Sequence, residues 1–200
     1  METLFQIIAI LLSYLIGAVP FGLFFSRLFS DVDVRSVGSG NIGATNVLRA
    51  AGKKAAVLTL LMDTMKGLIP VLIVKFVFQD DAITVLSGAA AILGHNFPVY
   101  LKFKGGKGVA TSYGVVFAVA PWTGFICLLI WILTTYTWRY SSLSALVAFT
   151  CYLGLTFFAI SPLSKPYGLL SLFIFGMIYY RHRENIKRLL SGTEPKIGKK

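Results

Sequence analysis

The chain has 200 residues, 56% of them hydrophobic, and a formal net charge of +11; its mean hydropathy is +0.75. That composition excludes an ordinary soluble protein, and with no hydrophilic stretch long enough for a separate unit, one integral membrane domain is expected over 1–200. The positive charge lies in the connections between apolar segments, as in cytoplasmic loops of membrane proteins, which argues against nucleic acid as a partner.

Apolar segments run over 4–28, 55–78, 83–93, 109–120, 122–136, 143–160 and 167–180. They predict an all-α, polytopic integral membrane protein with seven transmembrane helices, some short or broken. The first run, about 26 residues without a basic leader, is too long for a cleaved signal peptide and reads as a span. A full crossing needs about 20 residues, so the third and fourth segments are short. They flank the loop 94–108 and read as half-length helices lowering it toward the membrane, which is tolerated where broken helices line a cavity. Pro121 separates the fourth segment from the fifth. Cys127 and Cys151 fall in apolar segments and read as small hydrophobes, and Trp122, Trp131 and Trp138 as interface and packing residues. Asp63 and Lys66, three apart in the second span, are expected to pair or to face a polar interior.

An odd number of spans puts the termini on opposite sides. With the N-terminus outside, 35–54, 102–107, Arg139 and the basic tail 181–200 are all cytoplasmic, while Gln79, Asp80, Asp81 and Lys165 face out. The positive-inside rule favours that arrangement, and it gathers three polar constellations on one side. The tail also suits a surface of anionic membrane lipids.

The first constellation is the stretch 35–49. Gly38, Gly40 and Gly43 form a G-x-G-x-x-G, with Asp63 twenty residues after Gly43, but the flanking segments are membrane spans, so a dinucleotide fold is excluded. An anion site at a helix start remains, with Ser39, Asn46 and the four-spaced Asn41, Thr45 and Arg49. In the second, 94–111, Gly105, Gly106 and Gly108 surround Lys107, so backbone can wrap a phosphate that the ammonium neutralises. His95 reads as structural. The third, 181–190, places His182, Asn185 and Arg188 on a short basic helix. The eight Asp and Glu are scattered, so no metal site and no cofactor are expected.

Taken together, 38–49, 94–99, 103–111 and 180–189, with the Asp63/Lys66 pattern, resemble the bacterial membrane glycerol-3-phosphate acyltransferase family of the PlsY type. The resemblance spans nearly the whole chain. It implies a seven-span enzyme of the bacterial inner membrane with a cytoplasmic active site. Such an enzyme moves a fatty acyl group from acyl phosphate to the 1-hydroxyl of glycerol 3-phosphate, giving lysophosphatidate and phosphate, and so begins phospholipid synthesis. It further implies that a separate peripheral enzyme, a candidate partner, supplies the acyl phosphate.

On that resemblance, Ser39, Asn41, Lys107, His182 and Asn185 are expected to be catalytic. Gly38, Gly40, Thr45, Asn46, Arg49, Lys104, Gly105, Gly106, Gly108 and Arg188 are expected to bind substrate. An acyl phosphate is already activated, so orientation and charge stabilisation suffice. Tyr100 and Lys187 stand five after His95 and His182, so neither histidine has the acidic partner of the His-x-x-x-x-Asp pair. No Ser or Cys has an adjacent base. The rival reading is a small-anion membrane transporter using the same basic loops.

Overall fold

Within a bilayer every backbone N–H and C=O must find a partner inside the chain, so apolar segments of these lengths become helices. The computed structural model describes residues 1–158 and 165–198. In chain order its helices are α1 (Glu2–Gly17), α2 (Phe21–Ser30), α3 (Ala44–Phe78), α4 (Asp81–Asn96), α5 (Val109–Val119), α6 (Pro121–Trp138), α7 (Ser141–Phe158), α8 (Lys165–Arg181) and α9 (Arg183–Leu190). All seven apolar segments fall on helices, although 159–160 of the sixth and 199–200 of the basic tail lie outside the described residues. The stretches Glu2–Ser30, Ala44–Phe78 and Asp81–Leu101 are long and apolar enough to cross a membrane, and Val109–Val119 and Ser141–Phe157 are shorter apolar helices. The protein is thus an all-α integral membrane protein.

The surface confirms the solvent. Leu4, Phe5, Leu11, Phe76, Val77 and Leu133 are exposed, whereas Ser13, Thr59, Asp63, Ser87, His95 and Asn96 are buried. That inversion suits lipid outside and polar groups gathered inside. Ser13 Oγ and Ser87 Oγ, for example, lie 2.7 Å apart between α1 and α4. The helices approach closely at small residues. A Cβ on Gly17 or Gly94 would meet the facing backbone of α4 or α1, and one on Gly67 or Gly114 would meet that of α5 or α3. The main core joins Val71, Ile92, Tyr113, Val116, Phe149 and Leu170, and a smaller cluster of Leu23, Val34, Ile42, Val47 and Ala55 supports the first polar loop.

Three local features differ from the simple segment pattern. The first apolar run is two helices, because Pro20 has no N–H to continue the ladder; Lys66 Nζ donates to Val19 O at the break (2.8 Å). Next, α3 starts at Ala44, well before the apolar run, and Gly52 bends it with a φ of 83°. That left-handed conformation suits glycine and sets the first two turns at their own angle. Finally, α5 is short, as expected, whereas α4 has 16 residues and with the turn that follows it is long enough to cross a membrane, not the half-length helix expected there. The connection between them starts from buried His95 and Asn96.

Candidate active site

The bend at Gly52 and the connection from α4 to α5 bring all three polar constellations around one cleft of about 470 Å³. Ser39, Asn41, Thr45, Asn46 and Arg49 line it from the first, Lys107 and Gly108 from the second, and His182, Asn185 and Arg188 from the third. Much of the remaining wall is apolar, with Ala56, Val57, Leu60, Val109, Ala110 and Trp131, and Asp63, His95, Thr135 and Ser142 also line it. A second cavity of about 320 Å³ shares Ser39, Asn41, Lys107, Asn185 and Arg188 and adds Gly40, Gly105, Arg181, Arg183 and Glu184.

Not every predicted residue contributes in the same way. Asn46 is 2% exposed. Its Nδ2 lies 2.9, 2.9 and 3.0 Å from the carbonyls of Val34, Val37 and Asn41, and its Oδ1 accepts from Ser39 N–H at 3.1 Å. Its amide braces the first loop. Gly38, at φ 58°, lies under that same amide, where a Cβ would strike Asn46 Oδ1. By contrast Asn41 Oδ1 is buried at the cleft without a hydrogen-bond partner. Such an orphan acceptor is costly unless a ligand donor meets it. Thr45 Oγ1 sits 3.1 Å from Ser141 Oγ, tying α3 to α7.

In the second constellation, Gly106 N–H donates to His95 O at 3.1 Å, and a Cβ at Gly106 would run into the His95 ring. His95 is buried, with Nδ1 3.8 Å from Asp63 Oδ1. Asp63 pairs with Lys66 at 2.7 Å, as the sequence suggested. Lys102 and Phe103 adopt left-handed backbone, and Lys104 beyond them is exposed and lines neither cavity.

Lys107 Nζ donates to Asn185 Oδ1 at 2.6 Å. Burial lowers its pKa to about 8; Glu194 opposes that shift, while the positive Arg188, Arg181 and Arg49 add to it. His182 is buried, and burial together with the Lys107 charge lowers its pKa to about 4. The ring is therefore neutral at pH 7. With Nδ1 2.8 Å from Ile178 O, the proton sits on Nδ1 and Nε2 is an acceptor.

Sequence reasoning missed Glu194. Its carboxylate accepts from Ser142 Oγ (2.5 Å), Asn185 Nδ2 (2.7 Å) and Arg188 Nε (2.8 Å). Burial would raise its pKa, but those three hydrogen bonds hold it below the usual carboxylate value. The chain after α9 thus folds back over the cleft, and Ile197 N–H donates to Arg139 O at 2.8 Å. One signal was present: Glu184 and Glu194 are the two acids in the basic tail.

A polar, cationic head joined to an apolar wall, inside a membrane bundle, is a site for moving an apolar group onto or off a phosphate-bearing partner. It defines the class as a lipid-handling membrane enzyme. The family profile described as Glycerol-3-phosphate acyltransferase matches residues 7–192. The glycerol-3-phosphate acyltransferase of Dinoroseobacter shibae is 52% identical over 95% of this chain and 92% of its own. That of Caulobacter vibrioides strain NA1000 is 49% identical over 96% and 88%. The crystal structure of PlsY, an integral membrane glycerol 3-phosphate acyltransferase, superposes in its glycerol 3-phosphate form with a TM-score of 0.92, at 42% identity and 96% coverage of both chains. Its lysophosphatidic acid form gives 0.89, at 41% identity and 96% and 95% coverage. The chain belongs to the glycerol-3-phosphate acyltransferase family, of the PlsY type.

Proposed function

We propose that the protein transfers a fatty acyl group from an acyl phosphate to the 1-hydroxyl of glycerol 3-phosphate. The products are lysophosphatidate and inorganic phosphate, which begins phospholipid synthesis on the cytoplasmic side of a bacterial inner membrane, with the N-terminus outside. The observation that carries this reading is the two-character cleft, where Arg49, Lys107 and Arg188 meet a wall of Val57, Leu60 and Trp131. The cationic end suits two phosphates, and the apolar wall suits an acyl chain. PlsY structures with glycerol 3-phosphate and with lysophosphatidic acid support the acceptor and the product.

In this scheme the glycerol hydroxyl attacks the acyl carbonyl and the carbon–oxygen bond to phosphate breaks. A substrate phosphate takes the hydroxyl proton. Lys107 and Arg49 neutralise phosphate charge, and Arg188 holds glycerol 3-phosphate. Ser39 and Asn41 orient phosphate and carbonyl oxygens, while Asn185 aligns Lys107 and the acceptor. The neutral His182 accepts from the attacking hydroxyl and orients it. A base of pKa about 4 is too weak to carry the proton at neutral pH.

The test is phosphate release by purified protein given long-chain acyl phosphate and glycerol 3-phosphate. Parallel reactions contain acyl-CoA or lack glycerol 3-phosphate. Release that needs both substrates, with lysophosphatidate formed and no turnover of acyl-CoA, is expected. A folded protein that releases no phosphate but moves anions across sealed vesicles would replace the enzyme with a transporter.

A further inference from the structure

We propose that Arg181 is a positioning residue whose guanidinium fork holds the Gly105 and Gly106 carbonyls, so that Lys107 presents its ammonium to the cleft. The inference rests on the reading of Lys107 as the cation that neutralises substrate phosphate.

Arg181 ends α8. Its Nη2 donates to Gly105 O at 2.8 Å and its Nε to Gly106 O at 3.0 Å, and the guanidinium lies 5.2 Å from the Phe97 ring centroid. From the opposite side, His95 O accepts the Gly106 N–H at 3.1 Å. The peptides ahead of Lys107 are therefore held by α4 through a donor and by α8 through their carbonyls. Side chains cannot pass between: a Cβ at Gly105 would meet the His95 carbonyl and Pro98, and one at Gly106 the His95 ring.

The chemistry requires such a clamp. A loop that receives an anion must turn its carbonyl oxygens away, because each would repel the phosphate that the ammonium attracts. Arg181 gives two successive carbonyls a charged partner, while Lys107's own contact is Asn185 Oδ1. The planar fork matches two carbonyls at once, which a lysine ammonium does not. Arg181 borders the outer cavity, but its two bonded nitrogens are on the loop. The residue thereby couples the third polar constellation to the second.

The experiment is a double-mutant cycle on kcat/KM, using purified full-length protein and radiolabelled glycerol 3-phosphate, sensitive enough to follow the Lys107→Ala background. Arg181→Ala is expected to lose about 10- to 100-fold in the wild-type background and less than about threefold once Lys107 is already alanine. Arg181→Lys is expected to recover only part of the loss. Equal losses in both backgrounds would overturn the clamp, because a general effect on the fold does not depend on Lys107. If Arg181→Ala does not fold, Arg181→Lys takes its place in the same cycle and is judged in the same way. An inactive wild type would sink the functional reading and this inference with it. An active wild type with an additive cycle would sink the clamp alone.

Discussion

Lys66 is buried in the bundle and Lys107 is half-buried at the cleft, and their partners separate structure from chemistry. Lys66, within the bundle, has the Asp63 carboxylate at 2.7 Å and the Val19 carbonyl at 2.8 Å. Lys107, at the cleft, has a neutral amide oxygen at 2.6 Å, and the nearby carboxylate of Glu194 is bonded instead to Ser142, Asn185 and Arg188. The first lysine is neutralised within the fold. The second keeps a charge that an incoming anion can take up, and burial keeps that charge labile, with a pKa of about 8. A buried cation paired by its own carboxylate stabilises a helix break, whereas one paired by an amide is held ready for a ligand.

The contrast breaks most visibly at the ion pair. Asp63→Asn leaves the Lys66 ammonium uncompensated and is expected to lower stability by about 3–5 kcal/mol. Thermal unfolding in detergent measures it, and adding Lys66→Met to Asp63→Asn should restore much of the loss. An unfolding temperature unchanged by Asp63→Asn would mean that Lys66 does not need its carboxylate. Lys107→Ala should show the reverse pattern. Its kcat/KM should fall by about 100- to 1,000-fold, the scale of one lost charge-stabilising group, while the unfolding temperature stays near that of wild type. A large loss of stability with Lys107→Ala would erase the distinction between the two lysines.

Much of this contrast was legible in the sequence. The spacing of Asp63 and Lys66 announced their pairing, and the charge pattern placed the three polar constellations on one side, where the structure brings them together. Other features depend on contacts that no spacing encodes. The break at Pro20 is hidden inside a continuous apolar run, and the Val19 carbonyl beside it is met by Lys66, distant in sequence. Asn46 and Lys104 were expected to bind substrate on the family resemblance. The structure gives the first to the loop backbone and turns the second outward through the left-handed Lys102 and Phe103. Glu194 went unnoticed because its partners come from α7 and α9, far apart in sequence, which the returning tail reaches together.

Glu194 offers a way to sharpen the comparison through pH. Wild-type kcat/KM should decline as pH rises through about 8, when the Lys107 ammonium deprotonates and loses its hold on phosphate. Lys107→Arg should abolish that decline, since a guanidinium stays charged. The Glu194 carboxylate favours the protonated lysine, so Glu194→Gln should lower the lysine pKa further and move the decline below pH 8. It should also reduce kcat/KM by about tenfold through the loosened Asn185 and Arg188. A decline that shifts upward would reverse the assigned sign and remove Glu194 from the neighbourhood of Lys107.

The smallest expected effect concerns His182. Its pKa of about 4 leaves it neutral across the working range, and its Nδ1–H is taken by Ile178 O. A glutamine at this position offers an amide NH2 to donate and a carbonyl oxygen to accept, close to what the neutral ring supplies. His182→Gln should therefore cost only about tenfold in kcat/KM and leave the alkaline decline where Lys107 sets it. A general base would behave differently. Its removal would cost about 100- to 10,000-fold and would erase a limb of the pH profile. Measuring that profile for the variant separates the two roles. A small loss with unchanged shape means that the histidine aligns the hydroxyl and that a substrate phosphate carries the proton away.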